Sequence, residues 1–293
     1  MSDISTNGLA FGGISISATD SDFMNFTERR VAVLMTCYNR AETTLRSLAY
    51  LTQAAQGMQY DVFLVDDCST DGTGDRVKAK HPNVNIIHGD GKLYWAKGMH
   101  LAWQTAVESC DYDFYLWLND DLQLKSDAIT GLFADYETVK SVVVGACSED
   151  TTETSCSYGV SDASDKKIVP NGLPQRANGW LNGNLVLVPK SVYNKIGVIS
   201  AEYSHARADY DYAERLKKAG IPFYCSSRYV GVCKNDFADK IRDLSLWQRF
   251  QLLWRPGYWN LHDLWIIRSK YHGRIAALIS CLKLLAIVVI GIK

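Results

Sequence analysis

Two adjacent carboxylates, Asp120 and Asp121, follow an apolar run of aromatic and aliphatic residues at positions 114–118. A carboxylate at a strand end can hold a divalent cation through oxygen, and Mg²⁺ or Mn²⁺ typically shares one or two carboxylates with substrate phosphates. The alternative is a solvated loop that begins the next helix, because aspartate is favoured near helix N-termini. Other polar clusters along the chain, at residues 36–40 and 66–71, favour the metal site over a solvated loop.

Two further aspartate-rich segments have the same ambiguity. Residues 66–72 follow the apolar run 62–65 and contain Asp, Ser and Gly, which are turn formers. The alternative to a simple turn is a binding site, in which one of these carboxylates accepts a hydrogen bond from the ring N–H of a pyrimidine base. Asp209 and Asp211 stand at the start of a helical pattern, where an aspartate is often only a cap. At both places the residue types alone do not decide between a turn or helix cap and a functional site.

An alternation of strands and helices must position these groups. Apolar runs predict strands at 31–35, 62–65, 84–87 and 114–118, and helical patterns predict helices at 39–50, 74–80, 96–109 and 209–219. A further apolar run at 185–188 ends at Pro189. Asn39 is the expected N-cap of the first helix. This order implies an α/β fold with a mostly parallel sheet covered on both faces.

Ligands in such sheets collect at the carboxyl ends of the strands. The clusters at 36–40, 66–71 and 119–121 lie at three such ends. No GxGxxG or GxxxxGK[ST] loop opens the first helix, so the dinucleotide-binding and P-loop functions lose support. The sequence therefore predicts a ligand site of another kind at this sheet edge.

Taken together, the clusters resemble an inverting glycosyltransferase of family 2 with the GT-A (nucleotide-diphospho-sugar transferase) fold. The matching segments are 36–40, 65–73, 89–95, 117–121, 180–184 and 209–212. Their order and spacing match from about residue 31 to 234. The chain is most similar to the bacterial surface-polysaccharide branch, which includes rhamnosyltransferases and galactofuranosyltransferases.

The resemblance implies a role for each matching position on the donor side. Thr36, Tyr38 and Asp67 would hold the nucleobase and its ribose, and Arg40 would belong to the same nucleotide site. Asp120 would lie near the ribose and the metal. Asp121 would be the main ligand of a divalent cation, Mn²⁺ or Mg²⁺. Lys97 would contact phosphate, because Ala96–Lys97 stands where the family often has Arg-Asn.

On the acceptor side the resemblance assigns Asp209 as the catalytic base. Trp95, Trp180, Asn182 and Asp211 would line the sugar and acceptor sites. Besides Ala96–Lys97, two positions depart from the family pattern: Ala208 replaces the usual Glu before the base, and Cys233 stands where a metal-binding His is often found.

The expected function is metal-dependent, inverting transfer from a UDP- or dTDP-sugar to a hydroxyl of a lipid-linked or polysaccharide acceptor. The presence of Asp121 and Asp209 favours it. Ala208 and Cys233 leave open a catalytically silent sugar-nucleotide- or polysaccharide-binding subunit of an assembly complex. A nucleotidyltransferase would require a glycine-rich, basic N-terminal phosphate loop, which this sequence lacks.

Charge is divided unevenly along the chain. The net charge of -1 argues against a protein that wraps a nucleic-acid backbone. Residues 240–293, however, contain nine basic and two acidic residues, so the rest of the chain contains 22 basic and 30 acidic residues. Four of the eight Trp lie in the same basic stretch. We therefore divide the chain into an N-terminal tail (1–28), a catalytic domain (29–239, with halves 29–121 and 122–239) and a basic, Trp-rich helical tail (240–293).

The tail indicates a surface that contacts membrane lipids. Residues 275–292 are almost wholly apolar and reach the lower edge of the length of a transmembrane helix. Basic residues and Trp beside an apolar helix are typical of a membrane interface. The alternative is a helix packed on the domain or in a homo-oligomer. The absence of a signal pattern and the eight scattered cysteines favour a reducing cytosol, with the chain at the inner membrane face.

Overall fold

A mixed ten-stranded sheet carries helices on both faces. The structure is a computed structural model that describes residues 28–235 and 244–290. In chain order the strands are β1 (Arg30–Cys37), β2 (Gln59–Asp66), β3 (Asn85–His88), β4 (Phe114–Leu118), β5 (Gln123–Leu124), β6 (Val142–Ser148), β7 (Cys156–Tyr158), β8 (Gln175–Ala177), β9 (Leu185–Pro189) and β10 (Phe223–Val232). The helices in these ranges are α1 (Ala41–Ala54), α2 (Thr73–Lys80), α3 (Tyr94–Ser109), α4 (Ala128–Val139), α5 (Lys190–Ile196), α6 (Ala208–Lys218), α7 (Leu246–Leu252), α8 (Leu261–His272) and α9 (Arg274–Ile290). The predicted α/β class is confirmed.

The sheet is more mixed than the sequence predicts. Its order is β3-β2-β1-β4-β9-β6-β10-β5, with β7 beside β6 and β8 beside β10. The first four strands are parallel, as expected, but β9 is antiparallel to both β4 and β6. The segment before β9 already lies at the carboxyl end of β4, where the Asn119 N–H donates to the Asn184 carbonyl at 2.9 Å. Since β9 starts at this edge, it must run back across the sheet.

The start of α1 differs from the prediction. The helix begins at Ala41 after Arg40, whose side chain makes no capping hydrogen bond. Asn39, the expected N-cap, has a φ of 50° and accepts a hydrogen bond from the Thr70 backbone at 2.7 Å. The Asn39 amide therefore joins the loop after β1 to the loop after β2, and this contact holds two edges of the site together.

The strand ends are anchored by aromatic packing beneath the site. Trp103 of α3 and Trp117 of β4 are fully buried, with ring centroids 5.7 Å apart. Tyr212 of α6 packs edge-on against Trp117 at 5.0 Å. Such pairs each add about 0.5–1.5 kcal/mol beyond area burial. This cluster fixes the end of β4 relative to the first turn of α6.

The C-terminal helices pack against the segment that precedes α6. Asp263 of α8 is fully buried and accepts hydrogen bonds from the Ser204 backbone at 3.1 Å and the Ser204 hydroxyl at 2.7 Å. The Tyr271 hydroxyl donates to Asp211 at 2.7 Å. These contacts tie α8 to this segment and to α6, and α9 packs against α8.

Within the described ranges, no helix combines the length and apolar character required to cross a membrane. Helix α9 has 17 residues, and the end of the apolar run at 291–292 lies outside the described residues. The predicted N-terminal tail lies outside them too, except for Glu28.

Candidate active site

One cavity of about 1240 Å³ opens at the carboxyl ends of β1, β2 and β4. Since these strands are parallel neighbours, the polar clusters that follow them meet at this edge. Ten of the twelve candidate residues line the cavity: Thr36, Tyr38, Arg40, Asp67, Trp95, Asp120, Asp121, Trp180, Asn182 and Asp209. The structure thus brings together groups spread over 174 positions of sequence.

Asp67 holds the segment that leads into α3. Its Oδ2 accepts hydrogen bonds from the backbone of Leu93 at 3.0 Å and Tyr94 at 2.9 Å, and its Oδ1 accepts one from Gly91 at 2.8 Å. A side chain at Gly89 would overlap this carboxylate, so glycine is required there. Asp67 therefore shapes this end of the cavity, and Oδ1 keeps one lone pair free for a ligand.

Arg40 neutralises the carboxylate pair. Its Nη1 lies 2.9 Å from Asp120 Oδ1, and its Nη2 lies 3.1 Å from Asp121 Oδ2. Asp120 is 5% exposed, and burial raises its pKa to about 7 although Arg40 opposes the shift. The sequence resemblance placed Arg40 with the nucleotide, whereas here its guanidinium is occupied by these carboxylates.

Cys233 stands beside the same pair. Its Sγ lies 3.7 Å from Asp121 Oδ1 and accepts a hydrogen bond from the Asn184 amide at 3.4 Å. Burial and the neighbouring Asp121 raise the pKa of the Cys233 thiol, so it stays protonated at neutral pH. A protonated thiol is a poor metal ligand, and the position offers no imidazole.

The donor set fits a divalent cation that takes most of its ligands from the substrate. No group of three or more His, Cys, Asp or Glu that could hold a metal occurs in the two described ranges. Mg²⁺ and Mn²⁺ need only one or two protein carboxylates when phosphates complete their shell. Asp121, half-buried on the cavity wall, suits that role with Asp120 behind it.

Asp209 is a carboxylate in the first turn of α6. It accepts hydrogen bonds from the backbone of Gly183 at 3.2 Å and of Tyr210 at 2.9 Å. Burial raises its pKa to about 6 although these hydrogen bonds oppose the shift. It can therefore accept a proton near neutral pH.

Aromatic rings line the middle of the cavity. Trp95 donates from Nε1 to Asn119 Oδ1 at 2.8 Å, and a side chain at Gly183 would overlap its ring. Trp180 stacks on Tyr210 with centroids 5.8 Å apart and ring planes 16° apart. These fixed rings provide apolar faces on which a sugar can pack.

Two candidate residues lie elsewhere. Lys97 is exposed on α3 and does not line the cavity. Asp211 is fully buried behind the cavity, where it pairs with Arg215 at 3.0 Å and Lys270 at 3.0 Å. Helix α6 places Asp209 and Asp211 about 200° apart around its axis, so only one of them can face the cleft. The acceptor role that the resemblance gave Asp211 is replaced by a structural one.

Sequence reasoning missed several cavity residues. His205 lines the cavity, and its Nδ1 accepts a hydrogen bond from the Trp95 backbone at 3.4 Å. Arg207, Arg268 and Lys283 also line it. The basic character of the tail was the only available signal, and it did not indicate that α8 and α9 pack back onto the site.

Comparisons with known proteins agree with this fold. A model of the family described as "Glycosyl transferase family 2" matches residues 32–185. No curated protein matches the chain. Among solved structures, the mannosyltransferase PcManGT from Pyrobaculum calidifontis in complex with GDP-Man and Mn²⁺ is 14% identical, with a TM-score of 0.53 over 89% of this chain and 70% of that chain. S. aureus TarS 1–349 is 14% identical, with a TM-score of 0.51 over 89% of this chain and 81% of that chain. Its complex with UDP is 16% identical, with a TM-score of 0.52 over 84% and 73%, respectively.

Proposed function

Since the chain belongs to glycosyl transferase family 2, we propose that it transfers a sugar from a nucleotide diphosphate sugar, with inversion, to a hydroxyl of a lipid-linked or polysaccharide acceptor. The observation that carries the proposal is that one cavity is lined both by the Asp120–Asp121 pair and by Asp209. The first suits a cation and a diphosphate, and the second suits a proton acceptor. The surface-polysaccharide branch, with a UDP- or dTDP-sugar as donor, is the form that we expect.

The donor would lie at the ends of β1, β2 and β4. Thr36, Tyr38 and Asp67 line the cavity there and suit a nucleobase and ribose. Neighbouring structures hold GDP-Man or UDP, which supports a nucleotide sugar as the ligand class. A Mn²⁺ or Mg²⁺ ion held at Asp121 would act as a Lewis acid and would neutralise charge on the leaving diphosphate.

Asp209 would perform the proton transfer. It removes the proton from the acceptor hydroxyl while that oxygen forms a bond to the anomeric carbon, and the bond from this carbon to the diphosphate breaks on the opposite face. A single displacement inverts the configuration, and the nucleoside diphosphate leaves with the electron pair. A carboxylate with a pKa of about 6 is ionised at pH 7 yet basic enough for this step.

A nucleotide-sugar screen tests the proposed activity. We expect one of the UDP-, dTDP- and GDP-sugars to raise the melting temperature by roughly 5 °C at about 100 times its Kd, because saturating ligand stabilises the folded state. The shift should be larger with Mn²⁺ than with a chelator. Release of the nucleoside diphosphate on adding acceptor extract then measures transfer. No shift with any donor would contradict the proposal.

We also propose that α9 contacts the inner-leaflet surface. Six of its large apolar side chains are exposed, among them Leu278 at 53% and Leu282 at 56%. Trp247 and Trp254 are exposed at 72% and 76%, and Arg268, Lys270 and Arg274 lie nearby in sequence. Apolar and indole side chains together with basic residues suit an anionic lipid surface.

Vesicle sedimentation tests this contact. We expect the full chain to sediment with phosphatidylglycerol vesicles, and truncation after Tyr271 to abolish this. Leu278→Asn with Leu282→Asn should reduce the bound fraction several-fold. The matched control is Val169→Asn with Leu173→Asn, which changes two apolar residues exposed elsewhere, at 53% and 69%. Equal binding by all variants would refute membrane contact through α9.

A further inference from the structure

The end of the cavity formed by α8 and α9 is cationic. Arg207, Arg268 and Lys283 line it, and in the described part of the chain none of them has a carboxylate within ion-pair distance. Asp120 and Asp121, which are paired with Arg40, line the same cavity. The cavity thus contains a group of side chains suited to a cation and another suited to an anion.

Arg207 is the buried member of this cationic cluster. It is 8% exposed and adopts a left-handed conformation with a φ of 76°. Its Nη2 donates to the Tyr258 carbonyl at 3.0 Å, while its Nε is buried with no hydrogen-bond partner. The guanidinium lies over the Tyr258 ring at 5.1 Å and interacts with Asp263 from beyond ion-pair distance, so no carboxylate contacts it directly and a bound anion could form a direct pair with it.

The cluster is held rigidly on the acceptor side of the cavity. Arg207 stands two residues before Asp209, at the start of α6. Helix α8 is tied to the same segment because Asp263 accepts hydrogen bonds from the Ser204 backbone and hydroxyl. An anion at the cluster would therefore lie in the part of the cavity that Asp209 also lines.

Apolar side chains continue from the cluster along α9. Leu264, Leu284 and Ile287 line the same end of the cavity. Leu282 and Ile290 lie on α9 as well and are exposed at 56% and 61%. A ligand that fits both features has an anionic group followed by an alkyl chain.

We propose that Arg207, Arg268 and Lys283 bind the phosphate of an amphiphilic acceptor, in which a sugar is linked through phosphate to an alkyl chain. The chain lies along Leu284 and Ile287 toward the exposed apolar residues of α9. This inference rests on the proposed glycosyl transfer and specifies its acceptor as a lipid-linked phosphate rather than a free polysaccharide.

Calorimetric titration of the full chain with three probes tests the proposal. Decyl phosphate carries both features, decyl maltoside lacks the charge, and inorganic pyrophosphate lacks the chain. We expect decyl phosphate to bind at least tenfold more tightly than either of the others. Arg268→Gln with Lys283→Gln should weaken decyl phosphate binding at least tenfold, since both side chains are exposed and their loss leaves the fold intact. Arg274→Gln, an exposed residue of α9 outside the cavity, is the matched control and should change it less than twofold.

The nucleotide arm separates this proposal from the activity itself. In the same variants, the affinity for the nucleotide selected by the screen should stay within twofold of the wild type. Equal weakening of nucleotide and decyl phosphate would assign the cluster to the donor and overturn the proposal. Pyrophosphate binding as tight as that of decyl phosphate would overturn it too. If decyl phosphate binds as expected but none of the nucleotide sugars in the screen binds, the site is supported and the proposed glycosyl transfer is contradicted.

Discussion

Asp209→Asn should reduce sugar transfer about 10³-fold while nucleotide affinity stays within about twofold, because a positioned general base contributes roughly 10²–10⁴ in rate. Asparagine has the same shape, but its one oxygen can accept only one of the two hydrogen bonds that Gly183 and Tyr210 donate to separate oxygens of Asp209. It cannot take a proton from the acceptor. Single-turnover transfer and nucleotide titration measure the two quantities separately. Near-normal transfer would refute the assignment of Asp209.

The pH profile and stability of the same variant provide its controls. Because Asp209 must be ionised to act, wild-type kcat/KM should fall tenfold per pH unit below about 6. The pKa of Asp209 in the folded state lies above the ordinary value of 3.8. Its ionisation therefore lowers the stability of the folded state as the pH rises above 3.8. Asp209→Asn loses one hydrogen bond but also the cost of ionising a buried carboxylate, so its melting temperature at pH 7.5 should stay close to that of the wild type, which excludes unfolding as the cause of inactivity. Asp111→Asn, 77% exposed in its side chain, should leave transfer unchanged.

The second large effect is expected at Asp121. Asp121→Ala should lower transfer at least about a hundredfold, because charge on the leaving diphosphate would no longer be neutralised. It should also remove the dependence of nucleotide affinity on Mn²⁺, a readout independent of turnover. Nucleotide titrations with Mn²⁺ and with a chelator measure this. Asp127→Ala, an exposed aspartate paired with Arg228, is the control. Full wild-type activity after exhaustive chelation would contradict a metal at Asp121.

The arrangement of Arg40 bears on both results. Its guanidinium forms an ion pair with both Asp120 and Asp121, and so offsets part of their negative charge while no cation is bound. Binding of a cation and a diphosphate would free Arg40, which extends into the same cavity, to contact phosphate oxygens. The expectation that Arg40 serves the nucleotide stays a prediction for the loaded enzyme.

Much of the donor half could be predicted because its signals are local. Period and composition alone located β1, β2 and β4, and parallel strands must end at one edge. The residues just after each strand were therefore expected to converge before any contact was known. The start of α1 could not be predicted in the same way, since Asn39 accepts its hydrogen bond from Thr70 in another loop rather than from its own helix.

The acceptor half depended on contacts that have no local signal. Asp209 and Asp211 look equivalent in sequence, but the rotation of α6 sends one to the cleft and the other to Arg215 and Lys270. The direction of β9 was likewise decided by where its preceding loop lies.

The sequence by itself determined the α/β class, the family resemblance and the edge of the sheet where the cavity opens, because hydrophobic periodicity and strand ends depend on neighbouring residues. Only the tertiary structure decided that the basic tail is also a wall of the site. Asp263 reaches Ser204 across 59 residues, and this pairing brings Arg268 and Lys283 to the cavity. Contacts at such separation arise from packing and buried hydrogen bonds rather than from any local pattern, so the tail's charge could be counted in advance but its position could not.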